Sequence, residues 1–164
     1  MLSGTRQIGH AVGQNVARGL SRRTVLLGFC TVTAASSLRP AAASSLAVTD
    51  LRAWHEALAM FAVRYRHALI DIRADWCAPC LRMEREVFPH PAVRRLLEDV
   101  ALIKVDVTAM DDENRELLAH LRADGPPTIF VVDTASGAEY PRTRSVGGLR
   151  QREMVRRLRP FARG

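Results

Sequence analysis

Three short apolar runs, each bounded by polar or turn-forming residues, predict buried strands. They are His67–Ala74, Val100–Val107 and Thr128–Val132, and each has the length and the aliphatic content of a strand in the middle of a sheet. A shorter strand is predicted at Arg144–Val146, paired with the third run as a hairpin that turns at Gly137. The pattern therefore predicts a central sheet of four to five strands.

Apolar residues between these runs recur at helical spacing. A helix capped by Thr49 or Asp50 is predicted to reach about Ala62, because its apolar residues fall on one face. Further helices are predicted over residues 78–87 and 91–97, from the capping-box pair Thr108 and Asp111 to about residue 122, and at the C-terminal end. Strands joined by helical crossovers run parallel, so the chain is predicted to be an α/β domain.

Residues 1–43 differ from the rest of the chain, since they contain five arginines and no acidic residue. The pair Arg22-Arg23 precedes a mildly apolar stretch, Thr24–Leu38, and a small-residue end at Ala41–Ala43. This order is typical of an export signal, and the paired arginines resemble a twin-arginine signal. The apolar stretch of about 15 residues is shorter than the roughly 20 that span a bilayer. We predict a signal over residues 1–43, cleaved after Ala43, and one periplasmic domain over residues 44–164.

Other interpretations of this segment stay open at the level of sequence. It could be a basic tail, an organelle transit peptide, or a membrane anchor that is not cleaved. Cys30 lies within it, and the bulky Phe29 before it does not suit lipoprotein attachment. Cys30 is therefore expected to be removed with the signal.

The net charge of +7, from 24 basic and 17 acidic residues, comes mostly from that segment. The remainder of the chain carries 19 basic and 17 acidic side chains. Arginines crowd the C-terminal helix (Arg150, Arg152, Arg156, Arg157 and Arg159), opposite its apolar stripe, as on a solvated face. We therefore expect no nucleic-acid partner, and we expect a monomer.

Cys77 and Cys80 form a C-x-x-C motif between a predicted strand and a predicted helix. A thiol at a helix N-terminus ionises more readily than a free cysteine, because unpaired backbone N–H groups face it. The second cysteine lies one turn further on and can close a disulfide with the first. A zinc site would need two more ligands, which the scattered histidines do not supply. A permanent structural disulfide is also disfavoured, because the small ring closed by a C-x-x-C disulfide restricts little of the chain. We predict a redox pair that needs no metal and no cofactor.

The motif W-C-A-P-C after one apolar strand, with Gly125-Pro126-Pro127-Thr128 before another, resembles the thioredoxin family. Three further motifs, A-D-W-C-x-x-C-x-x-x-E, V-F-x-x-P-x-V and D-V-T-A-x-D, are similar to the C-terminal periplasmic domains of DsbD-type interchange proteins. The resemblance extends from about Val48 to Phe161. It implies a thioredoxin-like fold, with a mixed sheet flanked by helices, and a thiol-disulfide oxidoreductase. We expect a free-standing relative, without the transmembrane and immunoglobulin-like domains of those proteins.

The resemblance also implies roles for residues around the cysteine pair. Pro127 matches the family's cis-proline, and the backbone at Pro126 would pair with a substrate strand. Asp71 matches a buried acid that exchanges a proton with Cys80 through water. For Pro127 the alternative is a trans proline in an ordinary turn. For Asp71 the alternative is a carboxyl that reaches solvent at the end of the strand.

Three more side chains match family positions near the active site. Trp76 matches an aromatic shield beside the nucleophile, Lys104 a neighbour of the buried acid, and Glu84 an acid close to the active site. For Lys104 and Glu84 the alternative is an ordinary solvated side chain. Ala78 replaces the glycine of ordinary thioredoxins, which leaves the redox potential open.

Together these features predict an exported disulfide reductase or electron relay. The resemblance implies a membrane electron donor of the DsbD or CcdA type. Expected clients are disulfide-bearing proteins such as apocytochrome c in cytochrome c maturation, other thioredoxin-like proteins, or cysteines that bind copper. Two alternatives are a disulfide-introducing oxidase and a copper-binding or chaperone module that uses the same cysteines.

Overall fold

Five strands and five α-helices follow one another along residues 45–163, the part of the chain that the computed structural model describes. The strands are β1 (Ser45–Val48), β2 (His67–Arg73), β3 (Ala101–Asp106), β4 (Thr128–Asp133) and β5 (Ser145–Val146). The helices are α1 (Leu51–Ala62), α2 (Ala78–Arg82), α3 (Pro91–Leu96), α4 (Asp112–His120) and α5 (Gln151–Leu158). A π-helical turn, Met83–Val87, continues α2, and a 3₁₀ turn, Arg159–Phe161, follows α5. The predicted signal and Cys30 lie outside the described residues.

The strands form one mixed sheet in the order β1-β3-β2-β4-β5. β1, β2 and β3 are parallel because a helical crossover separates each from the next. β4 runs antiparallel to β2, and β5 antiparallel to β4. The central strand, β2, is therefore hydrogen-bonded on both sides, and its C-terminal end leads directly to Cys77.

Helices cover both faces of the sheet and enclose two hydrophobic cores. Along β2, Ile70 and Ile72 pack with α1 and α4 in one core, whereas Leu69 packs with the π-helical turn, α3 and α5 in the other. Successive strand residues point to opposite faces, so the two cores lie on opposite sides of the sheet. This arrangement explains why the three central strands are mostly apolar on both faces, with Asp71 in β2 and Lys104 in β3 as the polar residues between apolar neighbours.

The predicted α/β architecture is confirmed, including the parallel early strands and the hairpin that forms β5. The sequence-based order of elements omitted β1, because its four residues, Ser-Leu-Ala-Val, are too few and too small to show a pattern. The capping box at Thr108 was also wrong. Asp111 caps α4 by accepting a hydrogen bond from the Asn114 N–H at 2.9 Å, and Thr108 lies in the preceding loop.

The helices of residues 45–163 are short. None of them is both long enough and apolar enough to cross a lipid bilayer.

Candidate functional site

Cys77 and Cys80 are joined by a disulfide at the point where β2 gives way to α2. Their Cα atoms are 5.3 Å apart, and both residues are buried. Cys77 is the N-cap of α2, and its sulfur accepts a hydrogen bond from the Cys80 N–H at 3.3 Å. The local sequence explains this position, because Pro79 suits the first turn of a helix and lacks the N–H that would go unpaired there.

The environment of Cys77 favours a thiolate after the disulfide is reduced. A backbone N–H already points at its sulfur, and the positive end of the helix dipole lies at the same place. Both effects stabilise the anion and so lower the pKa of a thiol. Cys80, one helical turn away, is placed to attack any mixed disulfide that forms on Cys77.

The peptide bond between Pro126 and Pro127 is cis. The Pro127 carbonyl accepts a hydrogen bond from the Gly147 N–H at 2.8 Å. The next residue, Gly148, packs against the redox loop so closely that a Cβ added there would lie 3.2 Å from the Pro79 Cβ. The two glycines therefore link the cis-proline segment, which includes Pro126, to the C-x-x-C motif.

Asp71 lies in the middle of β2 and is 1 % exposed. Its Oδ1 atom has no hydrogen-bond partner among the described residues. Burial, followed by the negative charge of Glu84, raises the pKa of this carboxyl to about 7, although Lys104 and Arg73 act in the opposite direction. A carboxyl with this pKa can both accept and donate a proton near neutral pH.

Glu84 and Lys104 form an ion pair next to Asp71. Lys104 is opposite Asp71 in the register of β2 and β3, as the resemblance implied. Its ammonium group, however, contacts Glu84, with Nζ 2.7 Å from Oε1 and 2.9 Å from Oε2. Both side chains are about one quarter exposed, so neither is an ordinary solvated residue. The buried acid therefore faces a neutralised pair instead of a free cation.

Trp76 immediately precedes Cys77 and is 58 % exposed. Its indole Nε1–H donates a hydrogen bond to the Thr108 carbonyl at 3.1 Å. The ring is thus held by one polar edge while its remaining surface faces solvent, which suits a side chain that contacts a partner.

Sequence reasoning missed the residues that hold this loop in place. Arg73 forms ion pairs with Asp106 at 2.5 Å and Asp75 at 2.7 Å. The Thr108 hydroxyl accepts from the Asp75 N–H at 3.0 Å and donates to Asp106 at 2.5 Å. An arginine that ends an apolar strand, with acids following that strand and its neighbour, was the signal that could have revealed the network.

No three His, Cys, Asp or Glu side chains within residues 45–163 are grouped so as to hold a metal ion. The two cysteines, once reduced, would be thiolates of the kind that Cu(I) prefers.

Comparison with known proteins identifies the same family over most of that region. A thioredoxin-like family model matches residues 49–134. The thiol:disulfide interchange protein DsbD of Escherichia coli K12 is 36 % identical over 89 residues, which is 54 % of this chain and 16 % of that protein. DsbD of Salmonella typhi is 34 % identical over 112 residues, 68 % of this chain and 19 % of the relative. The chain thus spans less than one fifth of the length of these relatives.

Solved structures share the fold. The reduced C-terminal domain of Neisseria meningitidis DsbD superposes with a TM-score of 0.60 at 24 % identity, covering 71 % of this chain and 99 % of that domain. A thioredoxin from Thermus thermophilus superposes with a TM-score of 0.56 at 26 % identity, covering 71 % of this chain and 85 % of the other. Because the family model covers more than half of the sequence and includes the cysteine pair, this chain belongs to the thioredoxin-like family.

Proposed function

We propose that the protein is an exported disulfide reductase or electron relay that acts through Cys77 and Cys80. The disulfide between two cysteines at the start of α2 is the observation that carries this proposal. In the reduced protein, the Cys77 thiolate attacks one sulfur of a client disulfide and releases the other client sulfur as a thiolate. Cys80 then attacks Cys77, which releases the second client thiol and forms the Cys77–Cys80 disulfide. Two electrons pass from the protein to the client.

Asp71 is proposed to accept the proton that Cys80 must lose before it attacks. The burial of Asp71, its free Oδ1 atom and its pKa of about 7 support this role. Glu84 adds negative charge near Asp71, so it raises the proton affinity of that carboxyl. Trp76 and the backbone at Pro126 would contact the client, because both lie beside the redox loop and remain accessible.

The direction of electron flow is the finer part of the proposal. Exported proteins work in an oxidising compartment, so a reductase there must be recharged. We propose a membrane electron donor of the DsbD or CcdA type and disulfide-bearing clients, including apocytochrome c. The interchange proteins that the chain resembles and the signal-like composition of residues 1–43 support this assignment.

Reduction of insulin by dithiothreitol tests the proposal directly. The wild-type chain should accelerate it, and Cys77→Ser should abolish the acceleration because the attacking sulfur is gone. Cys80→Ser should lose turnover but accumulate a mixed disulfide with insulin, visible by non-reducing electrophoresis. Cys30→Ser is the matched control and should retain the wild-type rate. An inactive wild-type chain that binds one equivalent of Cu(I) tightly would favour the copper-binding alternative.

A further inference from the structure

The two helical layers carry opposite charge. On one face of the sheet, α1 and α4 contain four acidic and two basic side chains. On the other face, α3, α5 and the 3₁₀ turn contain six arginines and one glutamate, and the π-helical turn adds one arginine and two glutamates. The net charge of residues 44–164 is therefore small, although one of their surfaces is strongly basic.

Five of these six arginines are exposed and form no ion pair with the described residues. They are Arg94, Arg95, Arg152, Arg156 and Arg159. The sixth, Arg157, is half-buried and differs in role, because its guanidinium donates to the Thr143 carbonyl and to the Ser145 hydroxyl. One arginine of this surface therefore stabilises the fold, and the other five can bind a ligand.

A groove of about 420 Å³ lies within this surface, between α3 and α5. Ala92, Val155 and Pro160 give it an apolar lining. Its cationic lining comes from Arg152, Arg156 and Arg159, which are spaced i, i+4 and i+7 and so share one helical face. No Asp or Glu is among the described residues that line it. An apolar groove with three guanidinium groups suits a ligand that joins an anionic phosphate to an apolar body.

We propose that this arginine groove docks the protein on a membrane surface that contains anionic phospholipids. The lipid phosphates would pair with the arginines while the glycerol region contacts the apolar lining. A protein partner fits less well, because the large exposed apolar side chains of residues 45–163 all lie outside α3 and α5, and protein interfaces depend on such anchors. Dispersed cations on a helical face instead suit the dispersed charges of a lipid surface.

Docking there would also orient the cysteine pair, a consequence that depends on the function proposed above. The loop before α5 contains Gly148, which packs on Pro79 of the redox motif. The basic face therefore begins next to the redox loop, and a docked molecule would hold its disulfide near a donor in the membrane.

Sedimentation of the full chain with vesicles tests this proposal. Vesicles of equal parts phosphatidylglycerol and phosphatidylcholine should bind the wild type, and vesicles of phosphatidylcholine alone should not. Each arginine near an anionic surface strengthens binding roughly five-fold, so the triple variant Arg152→Gln, Arg156→Gln and Arg159→Gln should bind about 100-fold more weakly. The matched control replaces Arg52, Arg66 and Arg115, which are also exposed, by Gln. It has the same net charge as the triple variant and should bind nearly as well as the wild type.

The proposal would be overturned by equal loss in the two triple variants, by wild-type binding of the groove variant, or by no binding of the wild type. A groove variant that loses binding to a DNA duplex and keeps binding to the vesicles would assign the groove to nucleic acid instead. If the groove recognises a membrane surface, free glycerol phosphate should release the wild type from the vesicles no better than sodium chloride of equal ionic strength does. Efficient displacement by free glycerol phosphate would make the groove a site for a soluble phosphate and would contradict membrane docking. Insulin reduction in solution should be equal in all variants, which separates this test from that of the redox function.

Discussion

Asp71 combines three properties that are seldom found together in a strand: it is charged in water, 1 % exposed in the fold, and left with a free carboxylate oxygen. Burying an unpaired polar atom costs free energy, so stability alone does not explain an acid at this position. Lys104 is the register partner of Asp71 on the neighbouring strand, yet its ammonium group forms an ion pair with Glu84. A residue that weakens the fold and can exchange protons near neutral pH is better explained by function.

The effect of Asp71 on stability should depend on pH. The pKa of this carboxyl is 3.8 in the reference state and about 7 in the fold, so the folded chain holds its proton more tightly than the unfolded chain. Stability should therefore fall as pH rises from about 4 to about 7 and then level off. The free energy of unfolding of Asp71→Asn, measured with urea, should exceed that of the wild type by up to about 4 kcal/mol at pH 8 and match it below pH 4.

The exposed acid Asp124 is the matched control for this measurement. Asp124→Asn should change the free energy of unfolding by less than about 0.5 kcal/mol, and the change should not vary across the same pH range. A constant difference between wild type and Asp71→Asn from pH 4 to pH 8 would show that the Asp71 carboxyl has an ordinary pKa.

Among the elements, the loop before Cys77 is held by the end of β3. Arg73 and the Thr108 hydroxyl connect Asp75 to Asp106, and the Thr108 carbonyl anchors the Trp76 indole. Two strand ends thus fix the loop that presents Cys77. Hydrophobic periodicity locates each strand but contains no information about polar contacts between strand ends, so the apolar pattern alone could not reveal this network.

Replacing Thr108 should show whether its hydroxyl positions the loop. Thr108→Val keeps the shape of the side chain but removes an acceptor for the Asp75 N–H and a donor to Asp106. We expect a loss of about 0.5–1.5 kcal/mol in the free energy of unfolding, because the two lost hydrogen bonds are exposed and partly buried. We also expect a shift in Trp76 fluorescence, because the indole partner lies on the same residue. Thr108→Ser retains the hydroxyl and should preserve the emission of the wild type. Identical spectra for Val and Ser would contradict this role.

At the scale of the whole molecule, the apolar runs were sufficient to predict four of the five strands and the flanking helices. Long-range geometry was not predictable in the same way. The ion pair between Glu84 and Lys104 joins residues 20 positions apart, and the opposite charges of the two helical layers emerge only when α3 and α5 are placed on one face. The C-terminal arginines illustrate the difference, since a solvated face and a docking surface have the same sequence pattern.

The family resemblance supplied what periodicity could not. The structure contains the cis bond at Pro127 and buries Asp71. The apolar pattern alone was also compatible with a trans proline and with an acid that reaches solvent.

The equilibrium potential of the Cys77–Cys80 pair tests the central claim most directly. It is measured by incubating the protein in glutathione buffers of graded ratio, trapping free thiols with an alkylating reagent, and quantifying the reduced fraction. A reductase or relay predicts one two-electron transition at a potential nearer to about −270 mV than to about −120 mV. A transition close to about −120 mV, or a pair that never forms a reversible disulfide, would contradict the account.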